Sequence, residues 1–240
     1  MIIDKVMIAG MDDKTSITEL EKIKEEFPFV EWGVLFSKNK VGTARYPSLE
    51  YIDRLTKSKC GFMSAHFCGE YPREILEQGD LSEICALSPQ FGAIQLNYNF
   101  ERSKKWKRRH ISKLLNNSFD IGVDVIFQMN KSNAPLVKEL PTKLPMRSII
   151  RVLHDASGGR GTEIESLEAP TWENYTGFAG GINPVNIVKT SRTIIDNPSD
   201  KRVWLDLESG VRTDDEFDLD KVRDLLANVE PFITEYNESN

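Results

Sequence analysis

The last third of this chain repeats one unit: a short apolar run, a glycine turn, then the start of a helix. Leu153-His154-Asp155-Ala156-Ser157-Gly158-Gly159-Arg160-Gly161 is one copy. Gly177-Phe178-Ala179-Gly180-Gly181-Ile182-Asn183-Pro184 is the next, and Val203-Trp204-Leu205-Asp206-Leu207-Glu208-Ser209-Gly210-Val211 follows. Parallel strands covered on both faces read as nearly continuous apolar runs. Consecutive units of this kind predict the closing part of a (β/α)8 barrel, a fold typically reached at about 250 residues. The middle copy constrains function as well. Asn is a good helix N-cap, and Pro fits the first turn, where its missing N–H costs nothing. A glycine turn leading into a helix start aims backbone N–H groups and the positive helix end at one point, which suits a phosphate. Barrels of this type often build a phosphate site from the loops after strands seven and eight.

The rest of the chain carries the same alternation. Apolar runs at 5–9, 29–36, 62–68, 92–96, 124–129, 148–154, 177–179 and 203–207 predict strands. Helical signals stand between them. Ser16-Ile17-Thr18-Glu19 is a capping box ahead of the stripe Ile17, Leu20, Ile23 and Phe27. Ser48 opens a helix with Leu49, Ile52 and Leu55 on its buried face. Further helices are expected from Pro72, over 103–115, over 133–140 and over 218–229. The glycine units place others after the later strands. No Pro/Gly/Ser-rich linker interrupts the pattern, so residues 1–240 are read as a single-domain α/β (β/α)8 TIM barrel. A doubly wound open sheet is the main alternative.

Composition narrows the function classes. With 40% hydrophobic and 28% charged residues, the chain has the balance of a folded globular protein. The net charge of −6 argues against a nucleic-acid binder. The N-terminus lacks a basic segment followed by a long apolar run, so no signal peptide is expected. No uncharged apolar run is long enough to span a membrane. Cys60, Cys68 and Cys85 lack metal-site spacing and are expected to be free thiols in a reducing cytoplasm. No cofactor and no metal site is expected; Asp206 and Glu208 share a face, but two carboxylates alone do not make one. The basic run Arg102, Lys104, Lys105, Lys107, Arg108, Arg109, with Trp106 inside it, is read as a solvated helix face.

Functional residues of a (β/α)8 barrel gather at the C-terminal ends of its strands. Those ends supply Asp12, Arg45, His66, Cys68, Gln95, Asp155, Gly180, Gly181, Ser209 and Gly210. Alternation puts Ser64, His66 and Cys68 on one face of the third strand. The same count puts Arg151 on the face of Asp155, so the two are candidates to lie near each other. His154 is expected to point outward.

The chain resembles the phosphoribosylanthranilate isomerases, barrel enzymes of tryptophan biosynthesis. The resemblance rests on Ile8-Ala9-Gly10-Met11; on Trp32-Gly33-Val34-Leu35-Phe36 with the basic loop ending Ala44-Arg45-Tyr46-Pro47-Ser48; on Ala93-Ile94-Gln95-Leu96-Asn97; and on Asp155 ahead of Gly158-Gly159-Arg160-Gly161. Its most specific segments are Ala179-Gly180-Gly181-Ile182-Asn183-Pro184-Val185-Asn186 and Asp206-Leu207-Glu208-Ser209-Gly210-Val211. The resemblance implies an Amadori rearrangement of an aminated phosphoribose, in which an acid protonates the ring oxygen and a base removes the proton at C2′. It makes Asp155 the acid and gives Arg45 the carboxylate of anthranilate. It makes the Gly180-Gly181 and Ser209-Gly210 turns the phosphate cradle, with Gly159 and Gln95 also binding substrate.

One departure bears on activity. Where the family carries its cysteine base, in a Cys-Gly pair after the first strand, this chain has Ala9-Gly10. Cys68, His66 and Asp12 are the candidate replacements. Two hypotheses follow. The chain is an isomerase of a phosphorylated sugar with a different base, or it is a barrel that keeps the phosphate cup and has lost catalysis. An aldolase or epimerase is a third reading; no lysine stands at a strand end, so Schiff-base chemistry has little support.

Overall fold

A computed structural model of the protein describes residues 1–87, 90–98, 106–141, 145–155 and 174–233. Eight parallel strands close into a barrel in sequence order. They are β1 (Ile2–Ala9), β2 (Val30–Phe36), β3 (Met63–Phe67), β4 (Ala93–Leu96), β5 (Asp124–Met129), β6 (Ile150–Asp155), β7 (Thr176–Ala179) and β8 (Arg202–Leu207). Closure comes from β8 pairing with β1 over Ile2↔Arg202 to Ile8↔Leu207, with an irregularity between Ile3 and Lys5. The open-sheet alternative is thereby excluded.

The helices that follow the strands are α1 (Ile17–Glu26), α2 (Leu49–Thr56), α3 (Tyr71–Arg73), α4 (Ser82–Leu87), α5 (Arg108–Ile121), α6 (Ala134–Val137), α7 (Ile187–Ile195) and α8 (Leu219–Val229). Their starts follow the local capping rules. The Ser16 hydroxyl accepts from Glu19 N, Ser48 from Tyr51 N, and the Asp218 carboxylate from Asp220 N and Lys221 N. α3 continues as a π-helix over Glu74–Gln78 and stops at Gly79, whose φ of 75° is a left-handed cap. α5 begins later and runs further than its pattern suggested, ending at Gly122. In the described part of the basic run, Arg108 pairs with Glu139 and Arg109 Nε donates to His110 Nε2 at 3.2 Å. Arg102, Lys104 and Lys105 lie outside the described residues.

The buried face of α2 differs from the expected stripe. Leu49 is 67% exposed, and Tyr51 is buried with Ile52 and Leu55. Leu49 sits at the first helical position, where the chain has not yet turned onto the barrel. Tyr51 instead reaches inward and donates its hydroxyl to Thr15 O at 3.0 Å.

Apolar packing forms two cores. The large one lies between the sheet and the helices. The small one is Met7, Ala93, Ile126, Leu153 and Trp204 inside the barrel. Gly177 makes room for the indole: a Cβ there would stand 2.1 Å from Trp204 Cε2. Below this layer, toward the N-terminal ends of the strands, the barrel is plugged by paired charges. Lys5 meets Glu31 at 2.6 Å, Arg151 pairs with Asp124, and the Tyr175 hydroxyl donates to Asp4. Arg151 also stacks near Phe62 and Tyr175. This overturns the expected nearness of Arg151 and Asp155. They share a face, but four residues of strand, about 13 Å, separate them along the barrel. His154 faces away from the barrel interior, against Phe178.

Among the described residues, no helix is long and apolar enough to cross a membrane.

Candidate active site

A cavity of about 320 Å³ opens at the C-terminal ends of the strands. Alternation along each strand selects its walls. The inward residues one layer above the small core are Ala9, His66, Gln95, Gln128, Asp155, Ala179 and Asp206, and all of them line it. Asn97 and Glu208, two residues further along β4 and β8, form part of the rim with Gly180, Gly181, Ser209 and Gly210.

Among the groups that line the cavity, the one most displaced from its ordinary value is Asp206, which the sequence offered only as half of a carboxylate pair. It is buried, and its Oδ2 has no hydrogen-bond partner among the described residues. Burial, together with the negative charges of Asp155 and Glu208, pushes its carboxyl up to about 8; the Trp204 indole N–H pulls weakly the other way. Asp155 stands across β7 from it and accepts a 2.6 Å hydrogen bond from Gln128 Nε2.

His66 is 2% exposed, and burial pushes its imidazole down to about 3, so the ring is neutral. The space it fills exists because residue 33 is glycine. A Cβ there would meet His66 Cε1 at 2.6 Å and Ala9 Cβ at 2.8 Å. The ring therefore lies beside Ala9, the position at which the resemblance expects a cysteine. Gln95 Nε2 lies 3.4 Å from His66 Nδ1 and donates to Asn97 Oδ1 at 3.0 Å. With that amide as donor, Nδ1 accepts and Nε2 carries the hydrogen.

Cys68 shares the strand face of His66 but is not among the cavity-lining residues. Burial pushes its thiol up to about 11, and Asn97 Nδ2 contacts Sγ at 3.3 Å. A neutral imidazole next to an unionised thiol is not an activated pair. Asp12 also lies outside the cavity. Its carboxylate accepts from Lys14 N and Arg45 N, each at 3.2 Å, and faces Arg212 Nη2 at 3.4 Å. It holds the loop after β1 in place.

Arg45 is anchored by acids. Its Nη1 donates to Glu208 Oε1 at 2.8 Å and lies 3.3 Å from Ser209 Oγ, and its Nη2 meets Asp215 at 2.7 Å. Its own backbone is left-handed, at φ 73°. Asp215 belongs to a tight hairpin after β8, β9 (Arg212–Thr213) and β10 (Glu216–Phe217), that the sequence pattern did not reveal. Asp214 and Asp215 turn it with φ of 51° and 60°, the conformation of a two-residue primed turn.

The glycine turns meet each other. A Cβ on Gly210 would stand 1.9 Å from Ile182 O, so only glycine lets the two loops approach this closely. Gly180 and Gly181 both have positive φ, 129° and 57°. The Asn183 side chain accepts from Val185 N and Asn186 N at 2.9 and 3.2 Å, and its own amide donates to Gly181 O at 3.0 Å. It thus caps the turn that leads into α7, which begins at Ile187, later than the expected start at Pro184. The N–H groups of Gly180, Gly181 and Ile182 donate to no atom of the described residues. Gly159 lies outside the described residues.

Architecture and cavity together define the class: a (β/α)8 barrel with a carboxylate-lined C-terminal mouth flanked by glycine turns. The family model described as N-(5'phosphoribosyl)anthranilate (PRA) isomerase matches residues 107–228, just over half of the chain, and the protein belongs to that family. Solved structures agree on the fold. N-(5'-phosphoribosyl)anthranilate isomerase from Pyrococcus furiosus superposes with a TM-score of 0.59 at 17% identity, over 95% of this chain and 99% of that one. Phosphoribosyl anthranilate isomerase from Thermococcus kodakaraensis gives 0.55 at 15% identity, over 94% and 98%. The 3-hexulose-6-phosphate synthase from Salmonella typhimurium gives 0.52 at 12% identity, over 95% and 99%. Among curated proteins, none matches the sequence.

Proposed function

We propose that this protein is an acid/base isomerase of a phosphorylated ribose carrying an amino substituent at C1′, with the carboxyl groups of Asp206 and Asp155 as its acid and base. The reading rests on one observation: both carboxyl groups face one cavity from β8 and β6, and burial pushes the Asp206 carboxyl up to about 8. A carboxyl that keeps its proton near neutral pH is suited to act as the acid, with a carboxylate facing it as the base. Asp206 donates its proton to the ring oxygen, and the C1′–O bond opens to an iminium. Asp155 then takes the proton from C2′, giving the enolamine, which tautomerises to the ketone. One proton is given and one taken, so no redox partner is needed. This reverses the role that the resemblance gives Asp155, and it removes the need for a base at Ala9. His66, a neutral donor beside Ala9, is placed to hold the oxygen that becomes the ketone. The phosphate seats against the free N–H groups of residues 180–182 and the Ser209-Gly210 turn.

The free thiols of Cys60, Cys68 and Cys85 suit a reducing cytoplasm. Membership of the family makes N-(5′-phosphoribosyl)anthranilate the first substrate to assay, and with it a place in tryptophan biosynthesis. The test combines single-turnover assays on phosphoribosylamines with thermal shift by ribitol 5-phosphate. Turnover lost in both Asp206→Asn and Asp155→Asn, with phosphate binding retained, supports the reading. Binding without turnover in the wild type instead makes the protein a phosphometabolite-binding barrel, as the loss of the cysteine at Ala9 would allow.

A further inference from the structure

Cys68 has no part in the acid/base step, yet its thiol is tied to the cavity wall. Its Sγ lies 3.7 Å from His66 O and 3.3 Å from Asn97 Nδ2. The Tyr46 hydroxyl also bonds to the sulfur. Burial pushes the thiol up to about 11, so it keeps its hydrogen at neutral pH. From the sulfur a line of side chains runs to the His66 ring. Gln95 Nε2 lies 3.0 Å from Asn97 Oδ1 and 3.4 Å from His66 Nδ1.

Backbone fixes one end of this line. A peptide carbonyl only accepts, so the single thiol hydrogen goes to His66 O. The sulfur is left to accept. That turns the NH2 of Asn97 toward the sulfur and the Asn97 oxygen toward Gln95. An amide oxygen there calls for the NH2 end of Gln95. One hydrogen of that NH2 goes to Asn97, and the other faces His66 Nδ1. Nδ1 is thereby an acceptor, and the hydrogen of the neutral ring stays on Nε2.

Packing holds the ring in place for this bond. Its Cε1–Nε2 edge rests on Gly33, where a Cβ would stand 2.6 Å from Cε1 and 2.8 Å from Nε2. Gln95 and His66 are both buried, so little water reaches Nδ1 to compete. Among the described residues, His66 Nε2 and Gln95 Oε1 have no hydrogen-bond partner. Buried polar atoms left so are rare in folded proteins. The line thus leaves one donor and one acceptor unused, both on residues that line the cavity. A hydroxyl or carbonyl oxygen of a bound molecule suits the donor.

We infer that Cys68, Asn97 and Gln95 are positioning residues, a hydrogen-bond relay that fixes which nitrogen of His66 carries the hydrogen. The carbonyl of His66 anchors the relay, and its own imidazole is where the relay ends. The catalytic consequence rests on the isomerase reading given above, in which His66 donates to the oxygen that becomes the ketone. A ring with its hydrogen on Nδ1 would turn a lone pair to that oxygen and repel it.

The test is long-range proton–nitrogen correlation NMR of the nitrogen-labelled full chain at pH 7, with His66 assigned by its loss in His66→Gln. The wild type is expected to show the Nε2–H tautomer alone. Gln95→Glu sets a carboxylate opposite Nδ1 and should move the hydrogen to Nδ1. Cys68→Ala frees Asn97 to turn over and should give both tautomers. Cys68→Ser, which donates and accepts as the thiol does, should restore one. Loss of packing alone would leave the tautomer unmoved. In single-turnover assays the rate should fall about 10²- to 10³-fold in Gln95→Glu, the usual worth of one donor at a reacting oxygen. It should also fall in Cys68→Ala and recover in Cys68→Ser. An Nδ1–H tautomer in the wild type overturns the inference. So does an Nε2–H tautomer that persists in either Gln95→Glu or Cys68→Ala. The expected tautomer shifts without turnover in the wild type would leave the relay standing and sink the isomerase reading.

Discussion

Asp155 and Asp206 register on the same residue from opposite sides: each pairs with Ala179, the first from β6 and the second from β8. Two inter-strand spacings, roughly 10 Å, separate their backbones. Both side chains turn into the barrel, so their carboxyl groups approach across the cavity. Burial acts on Asp206 first and the charge of Asp155 second, and together they hold the proton on Asp206.

Replacing that carboxyl should trade activity for stability. Asp206→Asn is expected to lower kcat by about 10²- to 10⁴-fold, the usual worth of a general acid. Because the folded state raises this carboxyl from 3.8 to about 8, its contribution to stability is fully present below about pH 4. It is lost as pH rises toward 8, where folding must hold an unwelcome charge. Urea melts of both proteins at pH 5 and pH 8.5 check this. Asp206→Asn should gain stability over the wild type on the order of a few kcal/mol at the higher pH, and much less at the lower. Equal differences at both pH values would mean that Asp206 titrates normally.

His66 has the opposite sign. Its imidazole falls from 6.5 to about 3 on burial, so the unfolded chain takes up a proton that the folded chain refuses. Stability from this residue is present above pH 6.5 and drains away as pH falls toward 3. In the wild type the protonation of Asp206 offsets that loss between pH 6 and 4. His66→Gln should therefore shift the slope of stability in that window toward rising as pH falls, and Asp206→Asn should shift it toward falling. Chemical denaturation at half-unit pH steps separates the two slopes.

Gly210 tests the join between the two glycine turns. Gly210→Ala places a methyl group 1.9 Å from Ile182 O, so the loops after β7 and β8 must part. The expected cost is about 1–3 kcal/mol in stability, as for other forced contacts. Ribitol 5-phosphate should no longer shift the melt of this variant, while it does shift that of Gly42→Ala, where a Cβ meets nothing within 4 Å. A ligand shift equal to that of the wild type would remove these turns from the phosphate site.

Arg151 belongs to the plug at the other mouth. Arg151→Met breaks its ion pair with Asp124 and leaves that carboxylate half-buried. A loss of about 1–3 kcal/mol of stability is expected. Turnover under saturating substrate should stay within about two-fold, because the change lies below the inner apolar core and makes no contact with the cavity. A large fall in kcat with unchanged stability would return Arg151 to the site.

Much of the fold was legible because its signals are local. Ser16, Ser48 and Asp218 cap the helices they precede through hydrogen bonds spanning two or three residues. Gly180, Gly181 and Gly210 stood out as turn glycines, and Ser64 and His66 fell on one face of β3 by counting in twos. Where local pattern misled, a tertiary contact had decided. Tyr51 displaced Leu49 from the buried face by reaching Thr15. Arg151 was on the correct face at the wrong height, because alternation fixes a side and says nothing of depth. The hairpin turned by Asp214 and Asp215 lacked the Asn-Gly signature that would have announced it.

By itself the sequence determined the order of strands and helices, which residues share a face on β3 and β6, and the glycine turns at the barrel mouth. These depend on spacing, capping and backbone conformation within a few residues. The charges were decided by the tertiary structure. Arg45 looks like a free cation in its loop, yet Glu208 and Asp215, 163 and 170 residues away, neutralise it once β8 closes on β1. Asp206 is an ordinary carboxyl until closure buries it opposite Asp155. Desolvation and Coulomb interaction depend on what surrounds a group in space, and only the closed barrel supplies those surroundings.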